Sequence, residues 1–227
     1  TYYHPSNSYI YLYGNMDMEE KLAFLDEHYL SHFDYLDVDS VIQEQKAFGA
    51  CQDVTLEYPV AENEGEEDNT YLSYNMVVGN AADSQMAMAF EVLDYALLSA
   101  PGAPLKQALL DVKAGKDVYG SYDDGILQPY FTVIAKGSNP DRKEEFVSVI
   151  RQVLGDIVKN GIDRKAVEAG INYFEFRYRE ADFSSYPKGL MYSLDILGDW
   201  LYEKGNPFAQ VQPVSYTHLR AHETLRH

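Results

Sequence analysis

The stretch from Pro101 to Gly137, PGAPLKQALLDVKAGKDVYGSYDDGILQPYFTVIAKG, leaves this chain few architectures. Pro104 fits the first turn of a helix, where the N–H it lacks would have had no partner. Leu105, Leu109 and Val112 then fall on one face of that helix. Gly115 is placed to stop it. Val118 to Tyr122 and Tyr130 to Lys136 are rich in β-branched and aromatic residues and read as neighbouring strands. The connector from Asp123 to Pro129 is too long for a tight hairpin turn, so a wider connection is expected. A helix leading into a strand pair cannot bury its apolar face alone. More helices must lie on the same side, and the flanking sequence supplies them.

Upstream, Ser8 to Tyr13 reads as an aromatic-rich strand closed by Gly14 and Asn15. Asp17 can cap the helix that follows, with Glu20 completing a capping box. Met18, Leu22, Leu25, Tyr29 and Phe33 mark its expected buried stripe. Residues 36–50 lose clear periodicity and read as a linker. Val54, Leu56 and Tyr58 alternate with polar residues, as in a half-buried strand. Pro59 to Asn69 is an acidic loop, without the ligand spacing of a calcium site. Thr70 to Val78 is the returning strand. Ser84 is expected to cap a helix running to about Ser99, with Met88, Val92, Tyr95 and Leu98 inward.

Downstream, Asn139-Pro140 opens a strongly amphipathic helix. Its positions Phe146, Val149, Ile150, Val153, Leu154, Ile157 and Val158 fit the helical template. Gly161 ends that helix and Asp163 caps the next, whose stripe is Val167, Ile171, Phe174 and Tyr178. Gly170 inside it implies a close backbone contact. Pro187 to Tyr202 is a last helix carrying the only tryptophan, Trp200. Paired strands with grouped helices predict an α+β fold, a mostly antiparallel sheet with helices packed on one face. The expected partition is a terminal strand and helix over residues 1–35, a linker over 36–50, and an incomplete α+β domain over 51–208. Residues 209–227, with VSYTHLRAHETLRH at their end, resemble a translated sequencing adaptor and are set apart as a non-native tail.

Charge narrows the partners. Asp and Glu outnumber Lys and Arg 36 to 18, giving a net charge of −18. Such a surface repels phosphate backbones and anionic lipid, so neither nucleic acid nor a membrane surface is an expected partner. The lone Cys51 excludes an internal disulfide and a cysteine-based zinc cluster. No apolar run approaches the ~18 residues of a membrane span. No secretory signal is seen, and a start at Thr1 almost directly into a strand reads as a piece cut from a longer chain.

Chemistry-bearing motifs are few. His28 and His32 stand four apart on a helix, the spacing that lets two imidazoles share a metal. Between them lie Tyr29, Leu30 and Ser31, so the general-base carboxylate of a zinc peptidase is missing and no third ligand is apparent. His218 and His222 repeat the spacing inside the tail. A G-x-S-x-G elbow and a phosphate-binding G-x-x-x-x-G-K-[ST] loop are both absent. The 20 tyrosines read as core and sheet residues, because single-strand binders pair aromatics with a positive groove. The residues themselves therefore assign no catalytic, cofactor-binding or metal-binding position.

Several segments together resemble the presequence-protease branch of the pitrilysin/insulinase zinc metallopeptidases. They are Tyr3-His4-Pro5-Ser6-Asn7 leading into Tyr9 to Gly14, Ala103-Pro104-Leu105 opening the short helix, and Leu127-Gln128-Pro129 before a strand ending Lys136-Gly137. Ala166 to Ala169 with Glu175-Phe176, and Pro187 to Leu190 with Trp200, complete the likeness over about residues 1–208. The resemblance implies four related α+β domains closing around a peptide. Zinc would be held by an H-x-x-E-H motif in the first domain, which has no counterpart in this chain. On that likeness residues 1–35 finish the catalytic domain and residues 51–208 form most of the second. The expected function is a fragment of an intracellular, cytoplasmic zinc metalloendopeptidase degrading short unfolded peptides, supplying chamber wall rather than chemistry. Its expected partners are the peptide substrate and the remaining domains of the same polypeptide, with Zn2+ bound outside this chain. The alternative is a non-catalytic scaffold or core-subunit-like homologue that binds partners without proteolysis.

Overall fold

A computed structural model describes residues 2–61, 65–81, 83–180 and 185–202. The chain forms two compact units, each considered by itself. One contains the residues up to Glu44 and the last helix; the other runs from Gln45 to Glu180. The tail from 203 onward, including all of 209–227, lies outside the described residues.

The second unit is built on an antiparallel sheet of three strands, β1 (Thr70–Val77), β2 (Asp117–Asp123) and β3 (Tyr130–Ser138), in the order β1-β3-β2. The centre falls to β3, whose Phe131, Thr132, Val133 and Ala135 are all buried. A strand flanked on both sides tolerates such a run, whereas β1 alternates exposed positions with half-buried ones and the buried Leu72. Val133 faces Tyr74 on one side and Gly120 on the other, which fixes the register of the layer. Four helices belong to this unit: α2 (Ser84–Asp94), α3 (Pro104–Asp111), α4 (Lys143–Asn160) and α5 (Arg164–Glu180). Leu105 and Leu109 of α3, Phe146 and Ile150 of α4, and Leu97 and Leu98 after α2 meet Val118, Val133 and Ala135 of the sheet in one core. Each of the large side chains fully buried there contributes about 1.5–3 kcal/mol. The α+β architecture with helices on one face is thus the one expected.

Details depart from expectation for physical reasons. The stop of α3 is made by Lys113, which takes a left-handed φ of 55°, and Ala114 N–H donates back to Leu109 O at 2.9 Å. Gly115 serves another purpose: a Cβ there would stand 2.7 Å from the Lys136 carbonyl oxygen, so glycine lets β3 approach. Asp83, not Ser84, caps α2 by accepting the Met86 N–H at 3.0 Å. After Asp94 the helix widens into a π-helical turn over Tyr95–Ser99, closed by Ala100 N–H to Tyr95 O at 2.7 Å. Gly170 of α5 does meet a close neighbour, since a Cβ would touch Tyr95 and Val92 at 3.2 Å. Val158, counted with the apolar stripe of α4, is 87% exposed. It lies about 120° round the helix from Phe146, off the face that the sheet covers.

Val54 to Tyr58 forms no strand. Val54 and Leu56 are exposed, while Tyr58 donates its hydroxyl to Asn69 O and sets its ring against Tyr71. β1 takes β3 as its partner instead, because alternation specifies a face and not a neighbour.

In the first unit α1 (Met18–His28) starts at the Asp17 cap, whose carboxylate accepts the Glu20 N–H at 3.1 Å. Its expected buried stripe is in solvent except at Leu25, which is half-buried. An apolar stripe is buried only where an element lies against it. Ser8 to Tyr13 is not a strand either; its rings pack on α6 (Lys188–Leu201), Tyr9 against Trp200 at 4.8 Å and Tyr13 against Tyr192 at 6.0 Å.

Candidate functional site

The structure separates the two histidines that sequence spacing had put together. α1 ends at His28, and Tyr29, with φ −140° and ψ −64°, breaks the helical path. His32 then sits in a 3-10 turn over Leu30–His32, so the two imidazoles no longer share a helical face. The His28 ring packs on Phe24 at 4.6 Å instead. Among the described residues no group of three or more His, Cys, Asp and Glu side chains converges in a geometry that could hold a metal ion. Cys51 is exposed, its thiol directed to the Gln52 carbonyl.

The surface with the most chemical content is the sheet face turned away from the helices. Strand alternation brings Tyr71, Ser73, Asn75 and Val77 of β1, and Asp117, Tyr119 and Ser121 of β2, to that face, all exposed. Across the sheet they line up in rows, Ser73–Ile134–Tyr119, Asn75–Thr132–Ser121 and Val77–Tyr130–Asp123. Thr132 donates its hydroxyl to Asn75 Oδ1. Tyr130 donates its phenol to Asp123 Oδ2 at 3.1 Å, and that bond to a carboxylate holds the phenol above its ordinary pKa. At the other end the Lys136 ammonium lies 5.8 Å over the Tyr71 ring. Asp117 accepts from Lys106 at 3.2 Å, which keeps its carboxyl below the usual carboxylate range.

This face can hydrogen-bond and stack. Its hydroxyls sit among carboxylates, an amide and tyrosines, and no described histidine is part of it. Sequence reasoning assigned no residue to it. The period-two alternation of TYLSYNMV and DVYGSYD was the signal that could have set this face apart.

A family model described as "Peptidase M16 inactive domain" matches residues 1–174. The chain belongs to this family. It is 45% identical over 211 residues to Protein HypA of Clostridium perfringens, covering 93% of this chain and 22% of that protein. It is 32% identical over 220 residues to Presequence protease 1, chloroplastic/mitochondrial, of Arabidopsis thaliana, covering 95% of this chain and 20% of that one. The chain therefore spans about a fifth of the length of these curated relatives. A solved inactive peptidase domain from Bordetella parapertussis superposes with a TM-score of 0.51 at 14% identity, over 64% of this chain and 77% of its own; that likeness supports the fold alone. The resemblance read from scattered segments is thus a true kinship, and the part of this chain that matches is the family's inactive domain. No described helix is long and apolar enough to cross a membrane.

Proposed function

We propose that this chain is a non-catalytic portion of an M16 zinc metalloendopeptidase that degrades short unfolded peptides, and that it forms part of the wall enclosing them. The observation that carries this reading is the match of residues 1–174 to an inactive-domain model, alongside presequence proteases about five times as long. On this reading residues 1–35 finish the preceding catalytic domain and residues 51–208 make most of the second one. The peptide meets the helix-free sheet face, where Ser73, Asn75, Ser121 and the rings of Tyr71 and Tyr119 offer hydrogen bonds and stacking.

Zinc belongs to the preceding domain, where it would activate a water and polarise the scissile carbonyl, with the glutamate of H-x-x-E-H as base. His28 and His32 do not fit such a centre. The partners are the peptide and the remaining domains of the same polypeptide. An intracellular compartment such as the cytoplasm suits a chain whose lone Cys51 is an exposed thiol.

The test is hydrolysis of a quenched peptide, with and without a zinc chelator. The 227-residue chain is expected to be inert, and the longer protein that contains it to cleave in a chelator-sensitive way. Zinc-dependent cleavage by the chain alone would overturn the reading. A parent sequence lacking H-x-x-E-H would favour the scaffold alternative.

A further inference from the structure

One half-buried carboxylate is used by nothing described so far. Asp94 closes α2, at the point where the helix widens into the π-helical turn. Its Oδ2 accepts the Ser99 hydroxyl at 3.2 Å, across that turn. Its Oδ1 is enclosed and has no hydrogen-bond partner. It points at the middle of β2: a Cβ on Gly120 would stand 2.5 Å from Asp94 Oδ1 and 2.3 Å from the Leu98 methyl. Glycine thus lets the π-turn sit directly on the strand, with one oxygen of the acid enclosed between them.

We propose that Asp94 is a pH-responsive latch, its neutral carboxyl closing the seam between the π-turn and β2 and its ionised form loosening it. An enclosed carboxylate oxygen without a partner favours taking a proton or admitting water. Among the described residues no cation forms an ion pair with Asp94, whose one side-chain bond is that from Ser99. The elements packed on the junction carry these charged or titratable groups: β2 the Tyr122 phenol, α5 Tyr173, stacked on Tyr95, with Arg177 one turn further on, α3 the Lys106 ammonium already held by Asp117, and α2 its own Glu91. Burial is what pushes the Asp94 carboxyl above its ordinary pKa, and the Ser99 bond opposes that rise. The sign follows: the seam is tightest below the ordinary carboxyl pKa of ~3.9 and slackens as pH rises through the folded value.

The test uses the 227-residue chain, with hydrogen-exchange protection factors corrected for intrinsic rate at pH values below and above the carbon-13 midpoint of the Asp94 carboxyl. Protection of amides in 95–99 and 117–123 is expected to fall at least severalfold from the lower to the higher pH, while α4 stays unchanged. In Asp94→Asn, a neutral isostere, that pH dependence should vanish. A carbon-13 titration of the Asp94 carboxyl should have its midpoint above the ordinary value and should move higher still in Ser99→Ala. Equal pH dependence in Asp94→Asn, or an ordinary midpoint unmoved by Ser99→Ala, would overturn the latch.

Discussion

Two glycines of the same unit should respond to alanine with opposite sign. At Gly115 a new methyl would meet the Lys136 carbonyl oxygen at 2.7 Å, the Lys136 nitrogen at 3.2 Å and the Ala135 Cβ at 3.2 Å. Two of these are backbone atoms of Lys136 in the central strand, which pairs with Asp117 of β2 and whose carbonyl accepts the Lys116 N–H at 2.8 Å, and Ala135 is fully buried. None can swing aside as the end of a long side chain could. Overpacking of this kind costs about 1–3 kcal/mol. Gly155 lies inside α4 with nothing within 4 Å of its added methyl. Alanine there should gain about 1 kcal/mol from helix propensity. For a body of this size each kcal/mol moves Tm by about 2–4 °C. Scanning calorimetry should therefore place Gly115→Ala about 2–12 °C below the parent and Gly155→Ala about 2–4 °C above it. If Gly115→Ala melts with the parent, the close approach of residue 115 to β3 is wrong. If Gly155→Ala is no more stable, then the outer surface of α4 is not open there.

The same helix offers a contrast in burial. Ile150→Ala empties a position with no exposure at all and should cost about 2–5 kcal/mol, while Val158→Ala, at 87% exposure, should fall within about ±0.5 kcal/mol; urea unfolding midpoints separate the two. A second test concerns pH. Asp68 exchanges two bonds with Asn139, accepting its amide at 2.7 Å while donating its own N–H at 2.8 Å, and lies 3.3 Å from Lys116. The Asn139 bond first, and then Lys116, hold its carboxyl below the usual value. That stabilisation is present above the ordinary pKa of ~3.9 and lost as pH falls through the folded one. In Asn139→Ala the loss of urea stability between pH 6 and pH 3 should be smaller than in the parent, and an unchanged slope would refute the pairing.

How much of this was legible in the sequence depends on what kind of information each feature needs. The helix at Pro104, the strands around Tyr119 and Val133 and the stripe of α4 follow from local spacing, and all appear. Local spacing also named Gly170 as a contact point. Pairing is not local: Val54 to Tyr58 has a strand pattern, yet β1 bonds to β3, some sixty residues on. Nor does spacing reveal where a helix ends for conformational reasons. Lys113 in the left-handed region stops α3 before Gly115 can, and Tyr29 breaks the path between His28 and His32. The candidate surface was half legible. Alternation marks Ser73, Asn75, Tyr119 and Ser121 as one side of their strands, but only the sheet order joins them into rows. The π-turn after Asp94 left no signal in composition or period that sets it apart from α-helix.

The distribution of polar groups in the core explains why this unit carries structure more readily than chemistry. An active site needs charged groups converging in a place poor in water, which is destabilising unless each is held by partners. Here the buried hydroxyls close on nearby acceptors, Ser138 on the Ala114 carbonyl and Thr132 on Asn75. The ion pairs, such as Lys106–Asp117 and Arg164–Glu168, stay at the surface, where each contributes little. With its polar atoms so satisfied, the helix side of the sheet can be packed for rigidity, and the opposite side is left free to present hydroxyls, an amide and tyrosine rings. Asp94 Oδ1 is the one buried side-chain atom among the described residues that breaks this pattern. An acid kept against that rule, beside the one glycine that makes room for it, is where a change in protonation would be felt first.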